Sequence, residues 1–368
     1  VEARVLRSWD EVRALEPEWN ALLRASRADT VFLTWAWVKT WAEVVRPAVR
    51  PFVVTVRDAE ERLVGIAPYY HASFRLLGVV PYRGLRVLGD YGSGAEYLDW
   101  IVDAEREGPA SRALAEALAR HGRAWDCIWM PFVSGWNGAL DRVFHSCRAA
   151  GLRAFERPNH FGILELPREF PAYLASLSGN ARSMLTRRRR ALMGQGLKLE
   201  MCSDPGSVPE FLDALFHLNH LRWQSTGREG SFMRKRLAAR FYTEFAPLAL
   251  AEGWLRFYGA RLDGEIKATQ YGYLYGNAFL QMQEGFDPDA PSGLGNVLRS
   301  QVIEHCIANG IEAYDFLAGY TDHKRRWGAL CRTGHDFFVI GPGRRNDFLY
   351  HAGIWPTGRY LRPTRLPA

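Results

Sequence analysis

The chain has 368 residues, 48% of them hydrophobic, with 13 Trp, 15 Tyr and 20 Phe; that is apolar mass for two ordinary domains and too aromatic a composition for a disordered chain. A formal net charge of +7 favours anionic partners such as a nucleotide cofactor, a nucleic acid or a phosphate-bearing surface. Five scattered cysteines without a C-x-x-C pair argue against a disulfide frame or zinc cluster. With no apolar run near the roughly 20 residues of a membrane span and no signal-peptide core, the expected location is cytoplasmic, at most peripheral at the inner membrane surface.

Ser8 with Glu11 three residues on forms a capping box, and Val12, Leu15, Trp19, Leu22 and Leu23 continue at helical spacing, with Pro17 set to kink or split the helix. Residues 32–45 read as a second helix, rich in Trp. PFVVTVRD and RLVGIAPYYHA flank a polar turn and predict a hairpin. Strands follow at LRVLGD and YLDWIVD, then a helix opened by Pro109 and closed by Gly122, the strand WDCIWMPFV, and a helix ending at Gly151.

The second half repeats this grammar. NHFGILELP is a strand, two helices lie at 169–177 and through ARSMLTRRRRALMGQG, and two more at 208–223 and 232–250. Residues 254–286 read as three antiparallel strands with Asp263-Gly264 and Gly276-Asn277 at the turns. A helix at 293–309 and the strand AYDFLA follow. The fold class is α/β (α+β): a tandem duplication, each copy a mixed, mostly antiparallel sheet flanked by helices. The expected domains are 1–157 and 158–340, with 341–368 as a basic, irregular Pro/Arg-rich tail.

Chemistry concentrates in the second half. Gly293, Leu294, Gly295 and Asn296 open a helix, where free backbone N–H groups can take a pyrophosphate, or where the glycines simply allow close packing. Asp315 sits at a strand end, facing a ligand or anchoring the loop. Lys324 and Trp327 follow in HKRRW, either closing an active site or lying on a charged surface. Glu284 is the first choice of general base, with Asp287 and His323 behind it. Arg187 and its three successors suit CoA phosphate, an RNA backbone or an anionic acceptor, or form a solvated helix face with one or two ligand contacts. Asp213, His217 and His220 share a helix face, but no fourth ligand is evident and no metal is expected.

In order and spacing, RSMLTRRRRALMGQG, LRWQSTG, ARLDGEIKATQYGYLYG, EGFDP…SGLGNVL and YDFLAG…HKRRWG resemble the CelD-like and FemAB-like branch of the GNAT acyltransferase superfamily. The resemblance extends to the first half through EWNALL, FLTWAWVKTWAE and GIAPYY. It implies tandem GNAT-like domains and acyl transfer from acyl-CoA to an amine by direct attack, the acceptor being an amino sugar, amino acid, peptide or cell-envelope precursor. By that match, 271–275, with Tyr273, is the strand offering N–H to the thioester carbonyl, and 293–296 is the phosphate loop. This loop begins Pro-Ser-Gly where the family usually leads with a basic residue. Lys324 matches the family's terminal lysine and would stabilise an oxyanion or acceptor phosphate, oriented by Asp315. Trp327, Glu96, Arg187 and Asp287 are the expected substrate contacts, Glu96 from a loop resembling the one that lines the family's interdomain cleft. Two other readings stand beside this one, an aminoacyl-tRNA-dependent ligase and a non-catalytic binding module. The lack of a long helical arm for RNA favours CoA over tRNA.

Overall fold

The computed structural model describes residues 1–45, 49–76, 79–224, 236–353 and 361–363. The end of the LRWQSTG segment and the start of the helix expected from 232 lie outside these. Two compact units form: Val1–Tyr91 with Ala95–Asn159 and the described residues from Thr333 onward, and His160–Arg332 with Gly92–Gly94.

The first unit begins with β1 (Glu2–Leu6), α1 (Trp9–Arg13) and α2 (Glu16–Ala25). Both halves of the Ser8–Glu11 capping box are made, and Pro17 falls in the first turn of α2, where no N–H partner is needed. Then come α3 (Trp35–Val45), the hairpin β2 (Arg50–Arg57) and β3 (Leu63–Leu76), β4 (Val80–Val87), β5 (Ile101–Val102), α4 (Glu107–Arg120), β6 (Cys127–Val133) and α5 (Ser146–Ala149). Most of the Trp content is core, and four of the buried indoles find an acceptor: Trp19 on Leu33 O, Trp37 on Gly89 O, Trp41 on Tyr91 O and Trp100 on Tyr69 Oη, whereas those of Trp35 and Trp125 meet none among the described residues.

Strand β7 (Arg153–Glu165) leads into the second unit, where α6 (Phe170–Ser176), α7 (Gly179–Gly194), β8 (Lys198–Met201), α8 (Val208–Gln224) and α9 (Arg236–Ala251) precede the meander β9 (Leu255–Leu262), β10 (Glu265–Tyr275) and β11 (Ala278–Phe286). The Asp263-Gly264 turn is left-handed at both residues, with φ of 53° and 83°. After it come α10 (Leu294–Ala308), β12 (Ala313–Ala318) and the short α11 (Asp322–Arg326). The strand order is β7-β12-β11-β10-β9-β8, antiparallel throughout except for the parallel pair β11–β12. The first unit likewise has a parallel pair, β4–β6, in an otherwise antiparallel run β1-β2-β3-β4-β6. Both parallel pairs are short, and the repeated arrangement bears out a tandem α/β fold.

The C-terminal segment departs from expectation. Strand β13 (Leu330–Ile340) pairs with β6 from His335↔Val133 to Ile340↔Cys127, so the chain from Thr333 returns to the first unit instead of completing the second. The expected irregular tail holds α12 (Arg344–His351) and β14 (Leu361–Pro363), the latter paired with β3. Helix α12 is polar in sequence but is held by buried Asn346. Its amide donates to Asp126 O and Gly341 O, and its carbonyl accepts from Tyr82 Oη at 2.6 Å. Replacing it with alanine leaves those buried groups unpaired, a loss of about 1–3 kcal/mol. Asn346→Ala is therefore expected to lower the melting temperature by several degrees in a thermal scan, whereas alanine at exposed Arg344 leaves it unchanged.

Candidate functional site

In the second unit β11 and β12 pair over only Ala278↔Ala313, Phe279↔Tyr314 and Leu280↔Asp315, and then diverge. Lys324 accounts for the divergence. Its Nζ donates to three consecutive carbonyls, Phe316 at 2.7 Å, Leu317 at 3.0 Å and Ala318 at 2.6 Å. A regular strand turns successive carbonyls to opposite edges. Three converging on one ammonium end the ladder, and Leu317 is forced to φ 61°. Asp315 braces the same bend, its Oδ1 accepting Leu317 N–H at 2.7 Å. The lysine stem runs over Gly162, where a Cβ would stand 3.1 Å from Lys324 Cδ.

Strand β11 contributes a bulge. Tyr271 pairs with Gln283 and Gly272 with Gln281, leaving Met282 as the extra residue. Past Leu280 the β12-facing edge of β11 has no ladder partner among the described residues, so backbone groups are available there. By contrast β10 is laddered on both flanks through Tyr273, and Tyr273 is buried with its hydroxyl 2.8 Å from that of Tyr271. The strand that can offer N–H to a carbonyl is thus β11, not 271–275.

A charged network lies at this divergence. Arg299, 3% exposed, reaches from α10 to Glu284, which also meets Arg222 at 3.1 Å. Gln281 joins them, donating to Glu284 Oε2 and accepting from Tyr314 Oη. The guanidinium of Arg299 stands 5.1 Å over the ring of Trp327. Burial pushes the Glu284 carboxyl up, but the charges of Arg299 and Arg222 outweigh it and hold the group below the usual range. Glu284 is therefore an ionised partner of arginines and a weak base. His323 Nε2 lies 3.1 Å from Arg299 Nη1. Arginine only donates, so Nε2 must accept and the proton must sit on Nδ1. Burial first, then Arg299, holds this imidazole below its ordinary value and neutral.

Next to the network is a cleft of about 160 Å³. Leu177, Met184, Leu185 and Trp327 form its apolar wall, and Arg188, Asn296, His323 and Arg326 its polar one. Gly293 caps α10 at φ 91° with no side-chain hydrogen bond to the first turn. Arg188 of α7 lies directly on it: a Cβ there would stand 2.5 Å from Arg188 Cδ and 2.7 Å from Nη1. Arg188 Nη2 also reaches Ser292 Oγ at 3.4 Å. The cation that the Pro-Ser-Gly loop lacks is thus supplied from another helix. Neither Arg188 nor Arg326 has a carboxylate within 4.0 Å among the described residues.

The geometry therefore brings together Trp327, Gly293, Gly295, Asn296 and Glu284 from the expected set, but not Leu294, whose side chain is core and whose N–H donates to Pro291 O at 3.2 Å. It gives Lys324 and Asp315 the work of shaping the strand, because all three donors of the ammonium are engaged. Asp287 pairs with Lys267 at 3.2 Å and caps its own turn. Arg187 is exposed, and Arg188 takes the place expected of it. Glu96 belongs to the first unit. Among the described residues no group of three His, Cys, Asp or Glu is arranged to hold a metal. Arg299, Tyr314 and Arg326 were not singled out from the sequence, and Arg188 was not distinguished from the other three arginines of 187–190. Arg299 had a signal, because Val302, Ile303 and Cys306 follow it at i+3, i+4 and i+7, which puts an arginine on an apolar helix face.

Residues 179–325 match the family model described as Acetyltransferase (GNAT) domain. This part of the chain is a GNAT domain. Among solved structures the fold is similar to FemX, with TM-score 0.65 and 12% identity over 96% of this chain and 100% of that one. A tandem GNAT protein from the clavulanic acid biosynthesis pathway gives 0.50 and 14% over 93% and 100%. L-PGS from Bacillus licheniformis gives 0.50 and 12% over 92% and 96%. At such identities these likenesses establish the fold, which is that of the FemAB-like, tandem GNAT proteins. A search of curated proteins returns no match.

With its ammonium removed, the carbonyls of 316–318 lose their donor. Lys324→Met is expected to destabilise the second unit by about 1–3 kcal/mol. A thermal melt checks this, and an unchanged melting temperature would detach Lys324 from the bend.

Proposed function

We propose that the second unit transfers an acyl group from acyl-CoA to an amine acceptor, of the amino-sugar, amino-acid, peptide or cell-envelope-precursor class. The observation that carries this reading is the pairing of an anion cradle with an open strand edge. The cradle is the start of α10 with Arg188 and Arg326, both free of acids among the described residues. The edge is β11 beyond Leu280. The pyrophosphate of the donor would lie against the N–H groups of Gly295 and Asn296 and the two guanidiniums. The thioester carbonyl would meet the backbone near the Met282 bulge.

In the reaction the amine nitrogen attacks the thioester carbon, the tetrahedral intermediate collapses with cleavage of the C–S bond, and the leaving thiolate takes the proton the amine gives up. His323, neutral with its proton on Nδ1, is a hydrogen-bond donor at the cleft. The FemAB resemblance raises aminoacyl-tRNA as an alternative donor, for which a phosphate cradle is also suited.

Intact-complex mass spectrometry with CoA and acyl-CoAs, set against charged tRNA, decides between donors. Acyl-CoA is expected to bind, and Arg188→Ala to weaken it about tenfold, in line with one charge-assisted contact. Binding of charged tRNA alone would overturn the CoA reading. Turnover is expected to hold as pH falls through the ordinary imidazole value of about 6.5. It should decline only at the lowered value of His323, where protonation breaks the contact with Arg299. In His323→Gln that acid limb should disappear from the pH–rate profile.

A further inference from the structure

We propose that one end of the first unit, built from the β3–β4 hairpin and α12, docks on an anionic lipid surface. Residues 71–87 carry Arg75, Arg83 and Arg86 and no acid. Arg86 is spent internally on Asp90. Arg83 and Arg345 share a single carboxylate, Asp126, at 3.0 and 2.7 Å. Arg75 and Arg344 have no carboxylate within 4.0 Å among the described residues. Arg75, Arg83 and Arg345 line an open depression of about 700 Å³, so the depression has a surplus of positive charge.

Two apolar side chains project from the same end. Phe348 on α12 and Val79 at the hairpin turn are each 69% exposed. Their neighbours explain why they face outward. Leu349 and Val80 turn inward onto one small core with Phe74, Leu76 and Tyr82, and Arg345 fixes the helix to the hairpin through Pro81 O. Phe348 falls three and four residues after Arg345 and Arg344, on the same side of the helix. Projecting apolar groups among guanidiniums that outnumber the nearby carboxylates, Asp126 being shared by two arginines and Asp347 held by Arg153, match a bilayer interface, where the acyl boundary takes the ring and lipid phosphates take the charges. No helix among the described residues is long and apolar enough to cross a membrane, so the contact would be peripheral.

The test is co-sedimentation of the full chain with vesicles of phosphatidylcholine alone and of phosphatidylcholine containing phosphatidylglycerol. Binding is expected only to the second kind, and weakened by salt. Phe348→Ser and Arg75→Glu, both at exposed positions, should each weaken it about tenfold or more without shifting the melting temperature. Equal binding to both vesicle types, no binding to either, or parent-like binding by both variants would overturn the proposal. So would a dimer of the parent chain that Phe348→Ser disperses, since the face would then be a contact between copies.

Discussion

The ammonium of Lys324, gathering the carbonyls of Phe316, Leu317 and Ala318, is the interaction on which the second unit's site depends. Carbonyls drawn to one point cannot also serve a neighbouring strand. β12 therefore leaves β11 after three residue pairs, and the sheet opens at a fixed place. Everything assigned to the site lies at or beside that opening: the Met282 bulge, the Arg299–Glu284–His323 network, Trp327 and the start of α10. Because Lys324 belongs to the element that supplies His323 and Trp327, the bend and the cleft wall are set by one short stretch of chain.

Charge is arranged in two distinct ways here. Arg299 is buried and compensated by Glu284, with aromatic rings beneath it. Such a group specifies geometry, and removing its partner would leave a costly unpaired charge. Arg188 and Arg326 are the opposite case. They line the cleft without acids among the described residues, so their charge is available to a ligand. Gly293 lets Arg188 come this close, since any side chain there would collide with it.

Much of this was legible in the sequence because it follows local rules. The capping box at Ser8, the Asp263-Gly264 turn and the alternation of 254–286 each encode their own structure. The GNAT-like order of elements pointed to the glycine-opened start of α10 and to Trp327, and Asn296 and Trp327 line one cleft. What the sequence hid is non-local. Nothing in LCRTGHDFFVI announces that it will pair with β6, and nothing in RRNDFLYH announces a helix fixed by Asn346. Among four consecutive arginines, only packing selects Arg188 over Arg187 for the loop. The partners of Lys324 are non-local in the same way. A lysine in a basic run looks like a ligand contact until the three carbonyls opposite it are seen.

The measurement that bears most directly on the central claim is a structure of the protein with acyl-CoA. The pyrophosphate is expected at the start of α10 within hydrogen-bond reach of Arg188, and the thioester carbonyl at the β11 edge beside Met282. A donor bound elsewhere, or a thioester lying against β10 with the β11 edge unoccupied, would contradict that claim.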